Sequence, residues 1–401
     1  MYKIERVDGG VSLSSGFYSS GVNVGMRVAS NPDEPLDGDV GFIYSSTPCD
    51  VVARFTSNRF QAAPIQHYQR YPKGFKSNFV LINAKNANAM TGERGIEDID
   101  TIMSAMGDRL ELQNPIMSST GVIGYRLPME KITSAFDRFD YTAKESSTLA
   151  RTIMTTDSFP KELSCRVELE GGESFHIGAI CKGAGMINPA MATMLCFVTT
   201  DASIPREDME ELLTDATESS FNRISVDGDT STNDTVMLLA NKISGVYHKE
   251  AFAKALNEIL FDLAMMILRD GEGANKLVAF EVKSAKSDDE AMVASRALSN
   301  SLLVKTALFG EDPNWGRIAS TIGASGIECD ESRLVIHYDD LLIYSDEYRE
   351  LDSSREDKAF AIMKQDSFTV SCDLGLGDGE YTSYGCDLSY EYVKINAEYR
   401  T

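Results

Sequence analysis

One threonine in this chain stands where it could acquire its own base. The run Lys182-Gly183-Ala184-Gly185-Met186-Ile187-Asn188-Pro189-Ala190-Met191-Ala192-Thr193-Met194-Leu195 places Thr193 directly after Ala192 and before an apolar stretch. If the bond between Ala192 and Thr193 is cut, Thr193 gains a free α-amine beside its hydroxyl. A threonine hydroxyl is a weak nucleophile, and an adjacent amine serves it as general base. With an ordinary pKa of about 7.7–8.0, a useful fraction of that amine is neutral near physiological pH, so no distant histidine is needed. The plainer reading is a glycine turn entering a buried strand over Met194-Leu195-Cys196-Phe197-Val198, and on composition alone it prevails.

Other runs carry polar groups that acyl chemistry would need. Ser118-Ser119-Thr120-Gly121-Val122-Ile123-Gly124 reads first as a polar turn, yet donors beside a glycine can approach the oxygen that gains charge in a tetrahedral intermediate. Lys182, ahead of Thr193, is either a solvated lysine or a fixed cation near an acyl or carboxylate group. Thr155 and Thr156 read as a helix end and cap. Glu272, between Gly271 and Gly273, is an exposed loop carboxylate or one that a flexible backbone lets into a pocket. Asp227-Gly228-Asp229-Thr230-Ser231-Thr232-Asn233-Asp234 fails as a calcium loop, because Thr232 and Leu238 stand where glycine and glutamate are required. His67, His176, His248 and His337 are scattered without zinc-ligand spacing, and no G-x-S-x-G elbow is present. The sequence therefore predicts neither a metal nor a cofactor.

The order of residues in the 182–195 run resembles the signature of the ornithine acetyltransferase (glutamate N-acetyltransferase) family, in which Lys-Gly-x-Gly-Met precedes Ala-Thr-Met-Leu. The likeness extends from Gly16-Phe17 through 58–64 and 118–124 to the last residue. It implies self-cleavage between Ala192 and Thr193 into 1–192 and 193–401, with Thr193 as nucleophile and Thr120 and Gly121 as the oxyanion hole. It further implies substrate contacts by Thr155, Lys182, Thr193, Glu272, Asn396 and the terminal Thr401. The implied reaction moves acetyl from N-acetylornithine to glutamate in arginine biosynthesis; some members also accept acetyl-CoA, which leaves one-donor and two-donor enzymes open. The implied fold is a four-layer α/β/β/α sandwich, with 193–275 completing it and 276–401 forming a smaller C-terminal α/β domain, and the fragments assemble as α2β2. The family pattern has Ser-Gly where this chain has Ala84-Lys85, a departure that bears on the local loop rather than on the nucleophile.

The composition frames these sites. The chain has 401 residues, 43% of them hydrophobic, enough for two or three domains with a sizeable core. Its net charge of −23, with no basic run, argues against nucleic acid and anionic membranes as partners. Seven cysteines, odd in number and without C-x-x-C spacing, read as reduced thiols. The opening residues lack an apolar core of signal-peptide length, and a cytoplasmic location is expected.

Elements that would position the site alternate between classes, as in a mixed α/β protein. The first fifty residues predict strands and turns; 96–106, 145–154, 206–217 and 251–268 predict helices. The glycines after Asp270 suggest a domain edge. Beyond it, 276–282 reads as a strand, 291–308 as one helix, and the glycines at 375–379 as the bend of a hairpin-like pair whose second arm is 381–395. The loop 309–317, with the sole tryptophan, is expected to pack near the site. Two rival readings stand beside the transferase: an N-terminal-nucleophile amidase or aminopeptidase, in which water replaces glutamate, and a non-enzymatic acidic binding protein in which Thr193 is core.

Overall fold

The computed structural model describes residues 1–27, 37–188 and 194–398. Ala192, Thr193 and Thr401 lie outside the described residues. In chain order the strands are β1 (Tyr2–Arg6), β2 (Phe17–Val22), β3 (Val40–Phe55), β4 (Lys76–Asn83), β5 (Ile116–Ser119), β6 (Lys161–Leu169), β7 (Ser174–Lys182) and β8 (Leu195–Thr200). They continue as β9 (Ile224–Ser225), β10 (Thr235–Ala240), β11 (Leu277–Ala285), β12 (Val335–Tyr338), β13 (Leu341–Tyr344), β14 (Ser367–Asp373) and β15 (Gly379–Cys386).

These strands form two sheets, one of nine strands in the order β1-β6-β7-β8-β10-β3-β4-β5 with β2 on β3, and one of six in the order β13-β12-β14-β11-β15-β9. Long β3 pairs with β2 and β4 over its first half and with β10 over its second, its register with β4 shifting between Tyr44 and Cys49. At one end of the first sheet Lys182 faces Leu195 and Leu195 faces Thr235, so the ends of β7, β8 and β10 meet there.

β8 is buried throughout and apolar from Leu195 to Val198, because both its faces are covered. Leu195 and Phe197 join one core cluster with Met237 and Leu239 of β10, while Cys196 and Val198 join another with Val236 and Leu238. The second cluster is closed by helix Lys249–Arg269, which presents Phe252, Leu256, Ile259 and Leu263 at helical spacing, all fully buried. Helix Gly92–Gly107 turns Ile96, Ile99, Met103 and Met106 onto Phe79 and Leu81 of β4.

The second sheet corrects three expectations. The segment 291–308 is two helices, Asp288–Asn300 and Leu302–Phe309, because Ser301 is extended and its Oγ accepts from the Val304 N–H, capping the second. β14 and β15, which flank the glycine bend, do not pair: β11 lies between them, parallel to β14 and antiparallel to β15. The arm 381–395 is strand only to Cys386 and then helix Tyr390–Glu398; its tyrosines and valine satisfy either period over so short a run. Among the described residues, no helix is long and apolar enough to cross a membrane.

Candidate active site

Thr120 and Gly121 follow β5 and lie against the loop after β4. The Thr120 N–H donates to the Asn83 carbonyl at 3.0 Å, so the group Thr120 has to offer elsewhere is its hydroxyl. Gly121 has φ +129, and a Cβ there would stand 2.3 Å from the Lys85 carbonyl carbon and 2.5 Å from the Asn86 nitrogen. Only glycine fits that approach. Lys85 itself takes φ 71, a left-handed conformation suited to glycine that costs another residue about 1 kcal/mol or more. Asn233 ties this wall to the start of β10, its Nδ2 donating to the carbonyls of Ala87 (2.7 Å) and Ser119 (2.9 Å).

Lys182 ends β7 almost wholly buried, its Nζ donating to Thr155 Oγ1 at 2.8 Å and Thr120 Oγ1 at 3.4 Å. Burial depresses its pKa below the usual lysine range, against the pull of Asp157. Asp157 accepts from the Thr155 N–H (3.0 Å), the Gly183 N–H (2.7 Å) and Lys161 Nζ (2.8 Å). Burial alone would raise the Asp157 carboxyl, but the fields of Lys182 and Lys161 and these hydrogen bonds bring it down to about 2. Lys161 also donates to Asp270 at 2.5 Å, and Asp270 accepts from the Ser158 N–H. A line of alternating buried charges thus runs from Asp270 through Lys161 and Asp157 to Lys182.

Glu272, 8% exposed, anchors its N–H on the Ala184 carbonyl at 2.9 Å and accepts from Asn396 Nδ2 at 2.7 Å. Gly273, at φ +69, lets the start of helix Tyr390–Glu398 approach, since a Cβ there would be 2.5 Å from the Tyr392 nitrogen. Asn396 therefore reaches Glu272 only because the chain at 273 is bare.

The polar run 227–234 holds both flanks of the segment that contains Ala192 and Thr193. Asp227 accepts from the N–H groups of Met186 (2.6 Å) and Ile187 (2.9 Å), and Asp234 accepts from the Met194 N–H (3.1 Å). Burial raises both carboxyls above the usual range, that of Asp234 strongly.

Thr120, Gly121, Thr155, Lys182, Glu272 and Asn396 all line one cavity of about 130 Å³, with Thr156, Met186 and the polar residues Ser231 to Asn233 completing its wall. The remaining residues named from the sequence, Ala192, Thr193 and Thr401, lie outside the described residues; the chain reaches the first two from Asn188 and leaves them at Met194. The loop 309–317 does not line this cavity: Phe309 packs edge-on against Tyr390 of the helix that carries Asn396, ring centroids 5.4 Å apart, while Trp315 stacks on Tyr344 with ring centroids 4.4 Å apart and lines a separate cavity over the second sheet. Sequence reasoning missed Lys161 and Asp270 as partners. The one available signal was that Asp270 shares a glycine run with Glu272. Among the described residues, no group of histidines, cysteines or acids is placed to hold a metal ion.

The molecule is thus a mixed α/β protein with two sheets, whose polar cavity joins hydroxyls, a buried lysine and a buried carboxylate. The chain belongs to the ArgJ family, which it matches over residues 19–401. It is 56% identical over 402 residues to the arginine biosynthesis bifunctional protein ArgJ of Wolinella succinogenes, with 100% of each chain covered. It is 39% identical to the glutamate N-acetyltransferase of Methanocaldococcus jannaschii, covering 98% of this chain and 99% of that one. Among solved structures, it is similar to the arginine biosynthesis bifunctional protein argJ of Bacillus halodurans, at 41% identity, a TM-score of 0.48, and coverage of 51% of this chain and 98% of that chain.

Proposed function

We propose that this chain is a self-processing acetyltransferase of arginine biosynthesis that moves acetyl from N-acetylornithine to glutamate through an acetyl-Thr193 intermediate. The observation that carries the reading is the gathering of Thr120, Gly121, Thr155, Lys182, Glu272 and Asn396, drawn from five separate parts of the chain, around one small cavity. Thr193 Oγ attacks the amide carbonyl while its proton passes to the Thr193 α-amine. The Thr120 hydroxyl and the Gly121 N–H donate to the oxygen that becomes negative. Collapse breaks the C–N bond, the proton goes to the departing nitrogen, and ornithine leaves. The amine of glutamate then attacks the acetyl ester, and N-acetylglutamate and free Thr193 result. Glu272 suits the ammonium end of ornithine, and Thr155, Lys182, Asn396 and Thr401 complete the substrate contacts.

The same reading includes cleavage between Ala192 and Thr193, a four-layer α/β/β/α arrangement built by 1–192 with 193–275, a C-terminal domain over 276–401, α2β2 assembly and a cytoplasmic location. Acetyl-CoA is included as a second donor, because the relative from W. succinogenes is called bifunctional. The test is acetyl exchange between N-acetylornithine and labelled glutamate, with and without acetyl-CoA. Labelled N-acetylglutamate is expected; free acetate in its place would make the chain a hydrolase.

A further inference from the structure

Acyl transfer needs a nucleophile and an oxyanion hole at one fixed separation, since a misplacement of about 1 Å costs about a hundredfold in rate. Here the two come from distant parts of the sheet. Thr120 and Gly121 follow β5, Thr193 precedes β8, and three strands, β10, β3 and β4, stand between β8 and β5. Pairing of neighbouring strands therefore does not set the spacing, and a direct tie is required.

Residues 233–235 form that tie. On one side, Asn233 Nδ2 donates to the carbonyls of Ala87 at 2.7 Å and Ser119 at 2.9 Å. On the other, Asp234 accepts from the Met194 N–H at 3.1 Å, and the Thr235 N–H donates to the Met194 carbonyl at 3.0 Å. Met194 directly follows Thr193 in the chain. Asn233 is 5% exposed and lines the cavity, and its Oδ1 accepts from the Thr232 hydroxyl at 2.6 Å. A primary amide carries two N–H donors and one acceptor oxygen, and Asn233 uses all three. Aspartate, of the same shape, would turn an oxygen on two carbonyls, and alanine would leave both without this donor.

The two carbonyls bracket the hole. The Thr120 N–H donates to the Asn83 carbonyl (3.0 Å), the Val122 N–H to that of Lys85 (3.4 Å) and the Ala87 N–H to that of Val122 (3.0 Å). Residues 119–122 are thus laced to 83–87, and Asn233 holds both segments. The amides on either side of Gly121 are spent, while the Gly121 N–H has no acceptor among the described residues. It is the backbone donor left for a substrate oxygen.

We propose that Asn233 is a positioning residue for acetyl transfer: through the Ala87 and Ser119 carbonyls, its amide fixes the hole at Thr120 and Gly121 relative to Met194, and so to the nucleophile. The proposal rests on the acetyl-transfer reading above and deepens it, with Asn233 acting through Gly121 and Thr120 rather than on the acetyl group.

Acetyl exchange between N-acetylornithine and glutamate tests it, with kcat expressed per Thr193 terminus counted by N-terminal sequencing. Asn233→Ala is expected to lower kcat about a hundredfold and to leave the KM for N-acetylornithine nearly unmoved, because the Glu272–Asn396 pair is untouched. In a Thr120→Val background the same substitution is expected to cost less than about tenfold more, since both act on one hole. Should Asn233→Ala fold poorly, Thr232→Val decides: it frees the amide oxygen alone, and a kcat loss of about threefold to tenfold with the same constant KM is expected. A kcat unchanged in the folded variant, or a loss that multiplies in full with Thr120→Val, overturns the positioning role while the transferase reading stands. Absence of acetyl exchange in the wild type overturns both.

Discussion

The Glu272 carboxylate occupies the space that a Cβ on Gly185 would take, 2.4 Å from its carboxyl carbon and Oε1. The obstacle is the far end of a flexible side chain rather than backbone, so an alanine at 185 would displace the carboxylate without breaking the fold. Gly185→Ala is therefore expected to raise the KM for N-acetylornithine about tenfold to a hundredfold, the cost of losing one charged hydrogen bond, with a melting temperature near that of wild type. Equal KM values in the two proteins would take Glu272 out of the substrate contacts.

The buried charges behind Lys182 make a prediction about stability. Removing Lys161 as Lys161→Met leaves Asp157 and Asp270 facing each other without their common partner, and loss of about 3–5 kcal/mol is expected in denaturant unfolding. Asp157 gives the pH dependence its sign. Its carboxyl titrates at about 2 in the fold against an ordinary 3.8, so its contribution is fully present above pH 3.8 and is lost as pH falls from 3.8 toward 2. That contribution is about 2 kcal/mol. Asp157→Asn should be less stable at neutral pH and should lose this part of the acid dependence; an unchanged acid limb would show that the carboxyl is not held ionised.

Short ordered runs made much of the candidate site legible in the sequence, because Thr120 with Gly121 and Glu272 with Gly273 each set a polar group beside a glycine where another segment comes close, the Lys85–Asn86 backbone at 121 and the Tyr392 backbone at 273. The long helices were legible for a related reason: 251–268 carries a clean helical period against a covered sheet. Pairing across distance was not. Nothing in the order of residues links Lys161 to Asp270, or inserts β11 between β14 and β15. Helix Tyr390–Glu398 buries no side chain among its described residues, so it leaves no core stripe to distinguish it from a strand.

The oxyanion assignment separates two kinds of failure. Since the Thr120 N–H is engaged by the Asn83 carbonyl, the donor is its hydroxyl. Thr120→Val should lower kcat by about 10²–10³ with a small change in KM, and Thr120→Ser should retain most activity. Gly121→Ala should fail differently, in folding as well as in turnover, because its Cβ would meet the Lys85 and Asn86 backbone. A Thr120→Val enzyme with wild-type kcat removes the hydroxyl from the mechanism.

Asp227 holds the chain at Met186 and Ile187, upstream of the bond between Ala192 and Thr193, and Asp234 holds it at Met194, directly after that bond. A peptide bond that breaks by attack of its own threonine hydroxyl must be held so that the hydroxyl meets the preceding carbonyl, and restraint of both flanks serves that need. Asp234 has the further property that its Oδ2 is buried without a hydrogen-bond partner among the described residues. Thr193→Ala is expected to remain a single chain and to be inactive, since both nucleophile and base are then missing. Asp234→Ala should retain Thr193 yet mature slowly, because the Met194 N–H loses its acceptor. A time course on denaturing gels, with N-terminal sequencing of the smaller products, measures both. Active wild-type protein with no terminus at Thr193 would refute the processing model, and an Asp234→Ala precursor that matures at the wild-type rate would show that the grip on Met194 has no part in it.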